Sequence, residues 1–365
     1  MIDSVPGRIR ELDGWRGVSI LLVLLQHLAV YTFPAAAARH YWLYHVTGVA
    51  GDLGVRIFFA ISGFVIARLL LIEEAKYGSI SLKGFYTRRF FRILPVFYLF
   101  LAAVCLFSWL HWTPVTTTNI LQSALFVKDL KSPTLDWFVG HSWSLAVEEQ
   151  FYLVFPPILM VFSARKRPAV LLCGLAFFLA WSVGAQWGVF ANLLNPSAIT
   201  GFSCISVGVL LAIFEGKARA LAARVPGWFV LAVGLFLLIR PLPHGRAAGS
   251  FYALLVPFGV GLLLMYTLSR PSWATAVLNS AALQWTGMVS YSAYLWQEIF
   301  TGRSDFYGSP TVARNFHLCL PLLVLTAFLS YRWIEKPCTR LGRRLSARPQ
   351  AAHAISANKS VGESI

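Results

Sequence analysis

The run LDGWRGVSILLVLLQH at positions 12–27 sets an aspartate, an arginine and a histidine among apolar side chains. A helix turns about 100° and rises about 1.5 Å per residue. Arg16 and His27 are eleven residues apart, so their azimuths differ by only about 20°. Asp13 lies within one turn of Arg16. An ionisable group in hydrocarbon costs a few kcal/mol unless it is paired or wetted. All three therefore belong to one stripe that has to face protein or water. His27 falls about 20 Å along the axis from Asp13, in the outer half of a bilayer. A buried imidazole there suits general-base work; a hydrogen bond to a neighbouring helix is the bland alternative.

Three more segments carry polar groups into apolar runs. GDLGVRIFFAISGFVIAR (51–68) offers Gly51, Gly54, Gly63 and Ser62, small enough for another backbone or a ligand to come close. Its Arg56 demands an anionic or carbonyl partner. YTRRFFRILP (86–95) places Arg88, Arg89 and Arg92 just ahead of a span, with Pro95 in that span's first turn. These arginines read as a lipid-phosphate anchor or as a clamp for a soluble polyphosphate ligand, which the planar guanidinium fork matches. GHSWSLAVEEQFYLVFP (140–156) sets two carboxylates, Glu148 and Glu149, side by side. Ser144, Glu148 and Tyr152 share a face. Either glutamate is able to orient His27 or balance Arg56, and a static ion pair between helices is the alternative. SYSAYLWQEIF (290–300) interleaves hydroxyls and aromatics and reads mainly as an interfacial belt, with Glu298 near the outer face.

The elements that must hold these groups follow from composition. The chain has 365 residues, 57% hydrophobic and 13% charged, with mean hydropathy +0.65. Soluble domains carry about a quarter charged residues, so a water-soluble globule is excluded, as is disorder. Five cysteines without a CxxC pair exclude a disulfide scaffold, and no His/Asp/Glu/Cys cluster has metal-ligand spacing. What remains is an all-α, polytopic transmembrane helical bundle. About ten apolar cores are expected: Gly17–Phe33, Val55–Ile72, Ile93–Trp112, Ser144–Phe162, Ala169–Trp187, Gly201–Phe214, Trp228–Ile239, Phe251–Ser269, Gln284–Phe300 and His317–Ile334. With the N-terminus inside, 21 of the 31 Lys and Arg fall in inner segments and 7 in outer ones, and Arg56, Arg68 and Arg332 lie in or beside spans. That bias sets both termini in the cytoplasm and accounts for the +16 net charge without nucleic acid. Segments 34–50 and 113–142 read as the longest outer loops. Residues 8–345 form one membrane domain, and 346–365 read as a disordered tail.

Five segments in this order resemble the acyltransferase-3 family of bacterial integral-membrane acyltransferases: 12–27, 51–66, RRFFRILPVFY at 88–98, HSWSLAVEEQFYLVFP at 141–156 and SYSAYLWQ at 290–297. SYRWIEKP at 330–337 closes the last span as that family usually does. Gln297 stands where many relatives carry histidine, so no catalytic histidine is expected there. No esterase-like domain follows, which points to a stand-alone transferase. The resemblance implies a multi-pass protein of the bacterial inner membrane that transfers an acyl group, commonly acetyl, from cytoplasmic acyl-coenzyme A to a hydroxyl. The acceptor would be a cell-envelope or exported carbohydrate, or a glycolipid. No permanently bound cofactor is implied; acyl-coenzyme A is a co-substrate. The family's essential histidine falls on His27, with Asp13 and Arg16 flanking it. Its RxxR element falls on Arg89 and Arg92, with Arg88 beside them for coenzyme phosphates. Its fourth-span glutamate falls on Glu148 or Glu149. Arg56, Ser62 or Trp143 is the expected oxyanion partner. A secondary transporter or lipid flippase is the competing class, but no internal repeat accompanies the buried charges.

Overall fold

The computed structural model describes residues 9–32, 41–130, 137–189, 195–239, 245–301 and 316–347. Among these the architecture is helical with no strand. In chain order the helices are α1 (Arg10–Gln26), α2 (Tyr41–Tyr77), α3 (Leu82–Trp109), α4 (Thr117–Ala124), α5 (Ser142–Val161), α6 (Arg167–Gln186) and α7 (Pro196–Ile213). They continue with α8 (Glu215–Arg224), α9 (Gly227–Ile239), α10 (Arg246–Ser269), α11 (Trp273–Leu278), α12 (Ala281–Thr301), α13 (Phe316–Ser330) and α14 (Lys336–Leu345). Each expected apolar core falls on one of them. Among the described residues seven helices are long and apolar enough to cross a membrane, or eight if α8 and α9, bent by 103°, form one span. That count departs from the expected ten because α1 has 17 residues before its hydrogen bonding changes, and α12 carries too many polar groups.

Two sequence boundaries shift. Helix α2 begins at Tyr41, so the second half of the expected 34–50 loop is helical. Helix α3 begins at Leu82, capped by the Ser81 hydroxyl accepting from the Gly84 amide at 3.0 Å. Pro95 therefore lies inside α3 rather than in its first turn, and the arginine cluster rides on the same helix as the following apolar run. The expected 113–142 loop contains α4. Of the expected tail, residues from 348 onward lie outside the described ones.

In a bilayer, apolar burial does not draw helices together, so close backbone packing has to. Helix α1 lies against α2 and α12. A Cβ on Gly17 would meet the Leu283 carbonyl oxygen at 2.5 Å, and one on Gly287 would strike the Asp13 carbonyl. Helices α2 and α7 meet in the same way at Gly63 and Gly208. Within their most apolar stretches α2, α7 and α10 are 56%, 61% and 61% buried, whereas α6 is 17% buried and turns Leu172 and Phe177 outward. The buried centre of the bundle thus includes α2, α7 and α10, and α1 with its polar stripe packs between α2 and α12.

Candidate active site

Two polar centres lie along α1. The first surrounds a cavity of about 640 Å³, mouth included. Arg16 enters it from α1, Ser62 from α2, Arg89 and Arg92 from α3, and Glu148 and Tyr152 from α5. Asp13 interacts with Arg16, Glu149 with Arg89 and Glu335 with both Arg92 and Arg16, so the three guanidinium groups sit in a mixed-charge setting. Glu148 is held in place: its Oε1 accepts from the Ser62 hydroxyl at 2.6 Å, and its Oε2 accepts from the Tyr152 hydroxyl at 3.2 Å. The Arg89 guanidinium lies over the Tyr152 ring, 5.1 Å from its centroid, and 5.7 Å from that of Phe85.

Arg89 and Arg92, three residues apart on α3, share a face. Arg88 is four residues before Arg92, so spacing alone would admit it too; it is instead engaged by Glu73, to which it donates at 2.9 Å. Of the three arginines expected in a clamp, Arg89 and Arg92 line the cavity together with Arg16, and Arg88 does not. Glu335, buried, accepts from the Ser292 hydroxyl at 2.8 Å and sits near enough to Arg92 to interact electrostatically.

The far wall of the cavity is formed by Ser144 and Tyr294. Their hydroxyls meet at 2.7 Å, and both are within reach of the His141 carbonyl, at 3.1 and 3.2 Å. With two hydrogens for three contacts, one hydroxyl bonds the other and the second bonds the carbonyl.

Behind that wall lies the second centre. At His27 the α-helical hydrogen bonding of α1 gives way to a π-helical turn, His27–Thr32. The His27 Nδ1 lies 2.8 Å from the Val23 carbonyl oxygen. A carbonyl only accepts, so Nδ1 carries the hydrogen and Nε2 is left as the nitrogen for proton transfer. That Nε2 faces Glu298 Oε1 of α12 at 3.8 Å. The His27 ring packs edge-on against Trp137, with centroids 5.4 Å apart. Glu298 is 4% exposed and is gripped from the turn before α5. Trp137 Nε1 donates to its main-chain carbonyl at 2.7 Å. The His141 amide donates to its Oε1 and Oε2 at 3.1 and 3.3 Å, and His141 Nδ1 to Oε2 at 2.5 Å.

The carboxylate opposite His27 is therefore Glu298, not Glu148 or Glu149. Glu148 belongs to the cavity, one layer away. Glu149, its neighbour on α5, leaves a buried Oε1 without a hydrogen-bond partner among the described residues. Asp13 sits one turn before Arg16 and interacts with it electrostatically, away from His27. Of the expected oxyanion partners, Ser62 lines the cavity but is bonded to Glu148. Arg56 donates to both Asp52 carboxylate oxygens (2.8 and 3.2 Å) and to the Ser197 carbonyl (2.6 Å), so its fork is committed to holding α2 against α7. Trp143 packs edge-on against Phe59, outside the cavity lining.

The pairing of Glu298 and His141 shows only in three dimensions. One sequence signal pointed to the first: Glu298 is the sole acidic residue of α12. The second opens the motif HSWSLAVEEQ, where the paired glutamates draw attention away from it.

A family model described as an acyltransferase domain matches residues 9–332. The chain is 27% identical over 385 residues to the peptidoglycan O-acetyltransferase OatA of Listeria monocytogenes, covering 92% of this chain and 56% of that protein. It is 26% identical over 368 residues to the O-acetyltransferase OatA of Staphylococcus aureus (strain NCTC 8325 / PS 47), covering 92% of this chain and 58% of the relative. The chain thus spans less than two thirds of the length of these relatives. No solved structure matches it.

Proposed function

Since the chain belongs to the acyltransferase-3 family, we propose that it moves an acyl group, acetyl in the first instance, from cytoplasmic acyl-coenzyme A to a hydroxyl of a cell-envelope or exported carbohydrate, within a bacterial cytoplasmic membrane. Both relatives named above are bacterial O-acetyltransferases, and one is named for peptidoglycan. The observation that carries the reading is a single helix, α1, that puts Arg16 into a cavity shared with Arg89 and Arg92 at one end and His27 opposite a buried carboxylate at the other.

The residues divide the work. Arg16, Arg89 and Arg92 supply donors for the phosphates of the coenzyme, and charge-assisted bonds to phosphate are the strong ones. The thioester arm then has to pass the hydroxyl pair of Ser144 and Tyr294 to reach His27. At His27, Nε2 removes the proton from the acceptor hydroxyl. The oxygen attacks the thioester carbonyl, the C–S bond breaks, and the coenzyme thiolate takes the proton back from the imidazolium. Glu298 faces the positive charge that develops on the ring during this exchange; unlike the carboxylate of a Ser-His-Asp triad, it lies on the Nε2 side, and the Val23 carbonyl takes the Nδ1 hydrogen.

Purified protein in lipid nanodiscs tests this. Incubation with acetyl-coenzyme A and an oligosaccharide acceptor should release free thiol and give acetylated sugar by mass spectrometry. A folded His27→Ala protein with undiminished transfer would remove the histidine from the mechanism.

A further inference from the structure

The turn from Trp137 to His141 makes four hydrogen bonds to one residue, Glu298, at both its main-chain carbonyl and its carboxylate. Two of the ligands to the carboxylate come from His141 alone: its amide, and its ring Nδ1 at 2.5 Å. An ionised carboxylate only accepts, so the His141 Nδ1 carries a hydrogen. Its Nε2 is buried and has no hydrogen-bond partner among the described residues. The ring itself is held by Phe100 and Tyr294, with centroids 5.3 Å away in each case. A carboxylate on a free side chain would rotate about its terminal torsion. Here Oε2 is fixed by the His141 ring, which leaves Oε1 aimed at His27 Nε2.

We propose that His141 is a positioning residue for the proton-transfer step, which orients Glu298 toward His27 and so couples the turn 137–141 to the ring that handles the proton. The inference rests on the reading of His27 as the base. It adds a second imidazole that never touches the substrate. The same His141 offers its main-chain carbonyl to the Ser144 and Tyr294 hydroxyls that wall the cavity. One residue thereby joins the wall that the thioester arm must pass to the carboxylate behind it.

The donor function of Nδ1 is what the test has to isolate. Asparagine places an amide hydrogen close to the position of Nδ1, and alanine removes it. In nanodiscs, His141→Ala should lower kcat for thiol release from acetyl-coenzyme A by about 10- to 100-fold, within the range of general-base assistance. The donor KM should change by less than about threefold. His141→Asn should recover most of kcat.

A second readout does not need turnover. Carbethoxylation of His27 by diethyl pyrocarbonate, followed by mass spectrometry across pH, reports how that ring is held. Its midpoint should move by about 0.5 pH unit or more in His141→Ala and return in His141→Asn. Unchanged kcat and an unmoved midpoint in a folded His141→Ala protein overturn the proposal. So does a folded His141→Asn protein as impaired as His141→Ala, because the amide donor would then be irrelevant. If the midpoint moves as expected while His27→Ala retains full transfer, the coupling stands and the role of His27 as base falls instead.

Discussion

The two ends of α1 solve opposite problems. At the Arg16 end, three guanidinium groups and Glu148 line open space, with Asp13, Glu149 and Glu335 in electrostatic reach. At the His27 end Glu298, 4% exposed, is held by main chain, indole and imidazole. The first arrangement gathers guanidinium donors around room for a ligand; the second fixes one carboxylate among its donors. Binding a polyanion needs the former, and handling one proton needs the latter. The difference teaches that a single polar stripe on a helix can serve two chemistries, because what each group does is set by the helices that face it.

Substitutions that strike one end and spare the other test this division. The largest effect belongs to His27→Ala, which should cut kcat by about 10² to 10⁴ with the donor KM little changed. Glu298→Gln keeps the shape and removes the charge. It should lower kcat by about 100-fold, read in the same thiol-release assay. At the other end the signature reverses. Arg89→Gln or Arg92→Gln should raise the donor KM by about tenfold or more, the loss of one charge-assisted bond. Arg88→Gln, whose guanidinium is engaged by Glu73, should change it by less than about twofold. Donor KM rising equally for all three would mean that the cluster acts as a diffuse field and not through the cavity.

Arg56→Leu probes neither centre. It strands Asp52 and the Ser197 carbonyl, and should cost about 2–3 kcal/mol of stability, seen as earlier melting, while the folded fraction keeps its kcat. A selective loss of kcat would restore Arg56 to the oxyanion role.

The smallest effect lies outside the spanning helices, at Asp129 in the connection between α4 and α5. Its carboxyl accepts from Gln150 Nε2 at 2.9 Å, and burial pushes it above the ordinary aspartate range. A group raised on folding contributes stability below its unfolded value and loses that contribution as pH climbs through its folded value. Asp129→Asn should therefore raise Tm by about 1–3 °C near neutrality and leave it unchanged in acid below both values. A lower Tm at pH 7 would mean that the carboxylate is charged and useful there.

Hydropathy made the helical bundle legible, because apolar runs of that length have few other uses. The stripe on α1 was legible for a related reason: Asp13, Arg16 and His27 interrupt such a run at helical spacing. The partner of His27 was not. Glu298 lies on another helix, and no spacing rule links residues whose only relation is packing. Its setting among Tyr294, Trp296 and Gln297 also fits a membrane-interface belt, which masks one carboxylate. The three arginines looked equivalent in sequence because local charge density does not say where each side chain points. Only the packed structure shows Arg88 bonded to Glu73 while Arg89 and Arg92 line the cavity. The glycines of α2 were rightly ambiguous between packing and ligand approach; Gly63 sits against the Ile205 carbonyl and is committed to packing.

Those backbone contacts have a mechanical consequence. Helix α1 meets α12 at Gly17 and Gly287, and α2 meets α7 at Gly63 and Gly208, where an added Cβ would run into main-chain atoms of the facing helix. A larger residue at any of these four positions would prise apart helices that hold Arg16, Ser62 and Tyr294 around the cavity.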